Sequence, residues 1–216
     1  MSKFEDIKEL LATAFDNFSD VLQIEMRSEF SVIDLKDYGG QSFIIINIQF
    51  DDNTFTINFN GNETVITDFD STKLFNISNA KMVGFIPIDG KKGLLGFGNS
   101  HCDFVFFDEN DFCFVEFKLN ATSEEERAIR NNRRDAIGQL TNTISWFNLK
   151  LNRNYAGLNL EAYVCTPEFY PRFNSSWIAL ARKFLEEDHG FPVFEIKNKI
   201  CKHGITNHRG TEVTEK

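Results

Sequence analysis

Several features that would place a chain in a class at once are missing here. No apolar run approaches the roughly 20 residues of a membrane-spanning helix. The first eleven residues mix Lys3, Glu5, Asp6, Lys8 and Glu9 with apolar side chains, which is not the pattern of a signal peptide. The four cysteines, Cys102, Cys113, Cys165 and Cys201, lie far apart and include no CxxC pair. Reduced thiols of a cytoplasmic protein are therefore expected, with no membrane association. Cys201-Lys202-His203 with His208 lacks the spacing of a zinc site. Positive charge is also short. The net charge of −9 argues against holding nucleic acid by bulk electrostatics alone. It leaves room for a local basic groove and suits a site that takes divalent cations. Internal repeats and low-complexity linkers are absent.

What is present is enough for a substantial core. The 216 residues are 42% hydrophobic, which predicts one domain of ordinary size, or one with a modest extension. Phenylalanine dominates, with 24 copies against two tryptophans and four tyrosines. Ser2 followed by Glu5 reads as a capping box. Phe4, Ile7, Leu11, Phe15, Phe18 and Leu22 then recur at helical spacing, predicting an amphipathic helix of about five turns. Segments 42–50, 54–58 and 63–66 are rich in Ile, Phe, Val and Thr. They are separated by Tyr38-Gly39-Gly40, Asp51-Asp52-Asn53 and Asn60-Gly61-Asn62. An antiparallel meander is expected, with a further strand near 80–88. The glycine-rich stretch 91–98 lacks the Lys-Ser/Thr ending of a P-loop and reads as a turn.

The second half changes character. Segments 102–107 and 112–119 are strongly apolar strands joined by Asp108-Glu109-Asn110-Asp111, a hairpin. Ser123 and Glu126 form a second capping box, opening a long helix to about Leu151. A strand over 160–165, a helix over 175–187 and a last strand over 191–200 follow. The fold class is α/β, a mixed central sheet flanked by helices, with an N-terminal helix and β meander. The expected division is residues 1–97 for the helix and meander, 98–203 for the core, and 204–216 for a flexible tail.

The hairpin carries the chemistry. A turn centred between Glu109 and Asn110 sets Asp103 opposite Glu116, with Cβ atoms about 4.5–5.5 Å apart. Lys118 lies two residues on and shares that face. The other positions on the face are Val105, Phe107, Phe112 and Phe114, and the reverse face is Phe104, Phe106, Cys113, Val115 and Phe117. Strands apolar on both sides are interior strands. Burying two facing carboxylates without compensation costs several kcal/mol or more. A divalent cation removes that cost, and two carboxylates, a backbone carbonyl and waters are a ligand set that Mg²⁺ accepts. The bland reading is a Glu116–Lys118 pair at the rim of the sheet, with Asp103 capping a turn.

Asp103, the hairpin, Glu116-Phe117-Lys118 and the long helix resemble the PD-(D/E)xK nuclease superfamily, over residues 98–200, about half the chain. The resemblance implies a restriction-endonuclease-like fold that hydrolyses DNA phosphodiester bonds with one or two Mg²⁺, for which Mn²⁺ can substitute. It implies that Asp103 and Glu116 bind the metal, with the Phe117 carbonyl as backbone ligand, and that Lys118 assists the attacking water. Some branches carry a glutamine on the long helix near the active site, a position that Gln139 matches. Cys102 stands where the motif has proline, and the family's acidic residue from an early helix has no assignment here. Arg127, Arg130, Arg133 and Arg134, at the start of the long helix, are candidates for phosphate contacts. Arg133 falls on the apolar side, so that end of the helix is expected to project beyond the core. Lys197, Lys199, Lys202 and His203 form a second basic cluster that either touches DNA or keeps an edge strand soluble. Restriction, repair and defence roles all fit, as does a homodimer or a larger complex. Three alternatives stay open: a nuclease-like fold used only as an interaction module, an RNase, and a ligand-binding β-rich domain without catalysis.

Overall fold

The computed structural model of the chain describes residues 2–67, 69–96 and 100–201. In chain order these form α1 (Lys3–Ala14), α2 (Phe18–Val21), β1 (Gln23–Glu25), β2 (Glu29–Leu35), β3 (Gln41–Gln49), β4 (Thr54–Phe59), β5 (Asn62–Thr67), β6 (Phe75–Ser78), β7 (Val83–Pro87), β8 (Phe104–Phe107), β9 (Asp111–Phe117), α3 (Glu126–Lys150), β10 (Asn159–Cys165), α4 (Ser175–Lys183), β11 (Val193–Phe194) and β12 (Asn198–Ile200). Two mixed six-stranded sheets result. The first runs β1-β7-β8-β9-β10-β11, and the second β12-β6-β2-β3-β4-β5. The first sheet is antiparallel from β1 to β9 and parallel from β9 to β11.

The β8–β9 hairpin lies in the middle of the first sheet, as its two apolar faces predict. One face packs Val105, Phe107, Phe112 and Phe114 against Phe4, Ile7, Leu11, Leu140, Ile144 and Phe147 of α1 and α3. The reverse face packs Phe104, Phe106, Cys113 and Val115 against Phe30, Val32, Ile44, Phe75 and Ile77 of the second sheet. Helices therefore cover one side of the first sheet, and the predicted meander, extended by β2, β6 and β12, covers the other. This differs from a sheet with helices on both faces. A third cluster, with Ile33, Phe43, Ile45, Phe55 and Ile57, lies on the far side of the second sheet.

Some predicted elements change at their ends. The N-terminal helix breaks at Phe15, whose backbone is extended at φ −132°, and resumes as α2. The helical spacing runs through the break because Phe15, Phe18 and Val21 bury against the same core. Ser2 caps α1 by accepting from the Glu5 amide at 3.3 Å. Ser123 instead accepts from the Glu125 amide, and α3 begins one residue later, at Glu126. The predicted strand over 191–200 is two strands: β11 extends the first sheet beside β10, and β12 pairs with β6 in the second. Strands from before and after residue 98 thus share both sheets.

All four cysteines are buried free thiols. Among the described residues no helix is long and apolar enough to cross a membrane. Lys202, His203, His208, the segment 204–216 and the end of the glycine-rich stretch, 97–99, lie outside the described residues.

Candidate active site

The β8–β9 register pairs Phe104 with Val115, and Asp103 continues it by donating its amide to the Val115 carbonyl at 3.1 Å. That step brings Asp103 level with Glu116, where the sequence puts it. Asp103 Oδ2 accepts from the Phe117 amide at 2.5 Å. Lys118 Nζ donates to Glu116 Oε1 at 2.6 Å and also to Gln139 Oε1. Gln139 is itself oriented, because its Nε2 donates to the His101 carbonyl at 2.8 Å. Asp103, Glu116, Lys118 and Gln139 thus form one connected group on the helix-side face of the sheet, and Phe117 joins them through its backbone.

Burial sets the electrostatics. Glu116 is 1% exposed. Burial pushes its carboxyl up to about 7, against the opposing pull of the Lys118 ammonium. The Asp103 carboxyl is held well above the ordinary range by burial first, then by the charges of Glu116 and Asp34. Glu116 Oε2 is buried with no hydrogen-bond partner. A carboxylate oxygen enclosed this way lacks the compensation that buried polar atoms normally have.

The group opens into a cleft of about 420 Å³. Its walls include residues that the sequence did not single out: Asp34 near the end of β2, Lys36 just after it, Asp89 after β7, Asn120 after β9, and Asn132 on α3. Asn132 and Gln139 are seven residues apart, two helical turns, and so share one side of α3. Burial raises the Asp34 carboxyl to about 6, with Lys36 opposing and Asp89 reinforcing. Asp89 Oδ1 accepts from the Gly90 amide at 2.8 Å. A signal for both acids exists in the sequence. Asp34 interrupts the apolar run Phe30-Ser31-Val32-Ile33, and Asp89 ends the run from Val83 to Ile88. Asp103 stands in the same way at the edge of an apolar strand.

The donor set fits a hard cation. Among the described residues no three His, Cys, Asp or Glu side chains close around a single point. Asp103 and Glu116 would then be joined by a backbone carbonyl and waters, which suits Mg²⁺ because it keeps several of its own waters. The partnerless Glu116 Oε2 is the atom that such an ion would satisfy.

The basic residues are placed differently from expectation. Arg133 is not a nucleic-acid contact, for it is fully buried. Its Nε and Nη2 meet Glu195 at 2.6 and 2.8 Å, and Nη2 also reaches the Pro171 carbonyl. The guanidinium lies over the rings of Tyr170 and Trp177. That end of α3 does not project beyond the core, because the segment after β10 and the stretch carrying Glu195 cover it. Arg127 and Arg134 are exposed and Arg130 is half-buried. None of the four lines the cleft. Arg130 and Arg134 each sit two residues from Asn132, about 160° around the helix. Lys199 is buried and bonded to Asp111 and Glu161 at 2.6 and 2.5 Å, and Lys197 is bonded to Glu168 at 2.7 Å. Both lysines tie the fold together.

Compared with known protein families, curated proteins and solved structures, the chain finds no match.

Proposed function

We propose that this chain is a divalent-metal-dependent nuclease of the PD-(D/E)xK kind, with a restriction-endonuclease-like core of the first sheet and α3, acting on DNA. One observation carries the reading. A buried carboxyl, Glu116, and a half-buried one, Asp103, stand side by side at the end of apolar strands, with Glu116 Oε2 unsatisfied and a lysine locked beside them. Such a pair costs stability unless something positive binds it. An interaction module gains nothing from that cost, while a phosphodiesterase needs it.

Asp103 and Glu116 would hold the ion, with the Phe117 carbonyl as a further ligand. Mg²⁺ bound there supplies Lewis-acid stabilisation of charge on the phosphate and activates a water. The protein's own groups do the rest. Glu116 Oε1 and Gln139 Oε1 fix Lys118 Nζ at one point, where the ammonium orients the attacking water or stabilises the phosphate oxygens. Lys36 and Asn120, at the cleft wall, offer donors to a phosphate backbone. Arg127, Arg130 and Arg134 are left with contacts outside the cleft.

The test is cleavage of plasmid, single-stranded DNA and RNA with Mg²⁺, Mn²⁺ or EDTA. Cutting should vanish in EDTA. Lys118→Ala should lower the rate by about 10²-fold or more, the scale of a lost proton-transfer or charge-stabilising group. Failure to cut any substrate with any metal, together with no binding of Mn²⁺, rejects the reading and favours the interaction module.

A further inference from the structure

The cleft is poor in groups that hold a phosphate backbone by charge. Among the described residues its cations are Lys36 and Lys118, set against Asp34, Asp89, Asp103 and Glu116. Lys118 is committed to Glu116 and Gln139. Arg133 is sealed in the core, and Arg127, Arg130 and Arg134 lie outside the cleft. Binding by phosphate neutralisation needs a lysine or arginine at each phosphate. A strand held here therefore needs a second source of affinity, one that does not depend on charge.

The loop after β10 offers it. β9 and β10 run parallel with Phe117 beside Cys165, and the Lys118 amide donates to the Cys165 carbonyl at 2.7 Å. The segments that follow these two strands leave the sheet at the same end, where open α/β sheets place their ligands. The first, through Lys118, Asn120 and Ala121, lines the cleft. The second is residues 166–174. Its Tyr170 hydroxyl accepts from Asn132 Nδ2, on the cleft wall, at 2.6 Å. The Phe169 ring meets the Tyr170 ring edge-on, with centroids 5.2 Å apart.

Phe169 is 44% exposed and Phe173 is 86% exposed. Single exposed rings are ordinary on a protein surface. These two sit on one loop that is firmly pinned. Arg172 donates to Thr166 Oγ1 at 2.7 Å and to the carbonyls of Thr166, Pro167 and Glu195, and Arg133 donates to the Pro171 carbonyl at 2.8 Å. Phe173 is held at φ +58°, where bulky L residues are rarely found. Folding gains nothing from leaving two aromatic rings in solvent on a fixed loop beside a cleft. We propose that Phe169 and Phe173 form a stacking platform for unpaired bases, so that the strand taken by the cleft is single-stranded DNA. Every base has a flat face that stacks on a side-chain ring with little regard to sequence, and in a duplex those faces are covered by neighbouring bases. The platform thus selects unpaired strands and leaves sequence open. That the ligand is a nucleic acid rests on the nuclease reading, and that it is gripped by its bases rests on the loop.

The test is fluorescence anisotropy with Mg²⁺ on the full chain carrying Lys118→Ala, which slows cutting while binding is read. The probes are a single-stranded oligonucleotide of mixed sequence, its duplex, and a strand of abasic sites that keeps the phosphates. The single strand should bind at least about 10-fold more tightly than either of the others, with a shallow dependence on salt. Phe169→Ala and Phe173→Ala should each weaken it by about 5- to 100-fold. Phe169→Leu keeps apolar bulk against Tyr170 but has no aromatic face, and it should weaken binding as well. Equal affinity for the duplex or the abasic strand, or full affinity in the Phe variants, overturns the platform. So does a dimer in sedimentation that the double Phe change makes monomeric, which would give the rings to a second copy of the chain. Cutting by the unaltered chain, with binding indifferent to the rings, would leave the nuclease reading standing without the platform. Ring-dependent binding of single strands without cutting of any nucleic acid would do the reverse.

Discussion

At the scale of single residues, what could be read in advance was what local geometry fixes. Asp103 and Glu116 face each other because a short turn sets the hairpin register, and turn and register lie within fifteen residues of sequence. Gln139 was pointed to by the family resemblance alone. Asp34 and Asp89 are marked locally only as acids breaking apolar runs; their place in the cleft depends on long-range packing, Asp34 on one sheet stacking on the other and Asp89 on β7 pairing with β8. Arg133 was misplaced for the same reason. Its partner Glu195 is 62 residues away, and nothing near Arg133 announces it. That pair yields a sharp contrast between neighbours. Arg133→Ala strips the buried Glu195 carboxylate of its two short guanidinium bonds and leaves it only Thr166 Oγ1, donating at 3.1 Å, and the Arg172 guanidinium at 3.8 Å. Breaking a buried pair from one side costs about 3–5 kcal/mol. Arg134→Ala, on an exposed position of the same helix, should change stability by no more than about 0.5 kcal/mol. Urea unfolding of the two variants measures the difference, and equal midpoints would mean that the guanidinium contributes nothing.

At the scale of elements, strands and helices were legible and their joints were not. Periodicity marks which side chains face the core, so it passes unbroken through the extended Phe15 between α1 and α2. Likewise 191–200 has the composition of one strand, but the backbone leaves the first sheet after Phe194 and enters the second at Asn198. The pairing of β7 with β8 has a requirement of its own. Gly84 is opposite Phe107, and a Cβ added there would lie 2.4 Å from the ring. Phe107 has little room to move, since its ring packs on Phe4 at 5.0 Å and on Phe112 at 6.0 Å. Gly84→Ala should therefore destabilise by about 1–3 kcal/mol, as overpacked cores do. Pairing it with Phe107→Leu should recover part of the loss. A double variant no more stable than expected from the two separate changes would show that the ring is not the obstacle.

At the scale of the whole molecule, the acidic cleft couples stability to pH. Glu116 is raised from 4.5 to about 7, and Asp34 from 3.8 to about 6. A raised carboxyl binds its proton more tightly in the folded chain than in the unfolded one. Its stabilising contribution is complete below the ordinary carboxylate range and is lost as pH rises through the folded value. The metal-free melting temperature should accordingly fall between about pH 4.5 and 7 from these groups. If the cleft holds a divalent cation as proposed, added Mn²⁺ or Mg²⁺ should raise the melting temperature far more at about pH 7.5 than at about pH 5. Thermal unfolding across that range with and without metal decides it, and a metal increment independent of pH would place the ion elsewhere.

The crossing of the chain between its sheets has a consequence for how the protein is made. β12 pairs with β6, and Asn79 clasps the Cys201 carbonyl at 2.8 Å across 122 residues of sequence. Until Ile200 has been synthesised, the second sheet has an open flank at β6, beside the strand that carries Asp34. A growing polypeptide thus displays its acids before it owns the frame that aligns them, and the frame closes only once β12 has left the ribosome. Contacts so distant in sequence also make for slow folding. An unfinished copy would consequently have no assembled cleft.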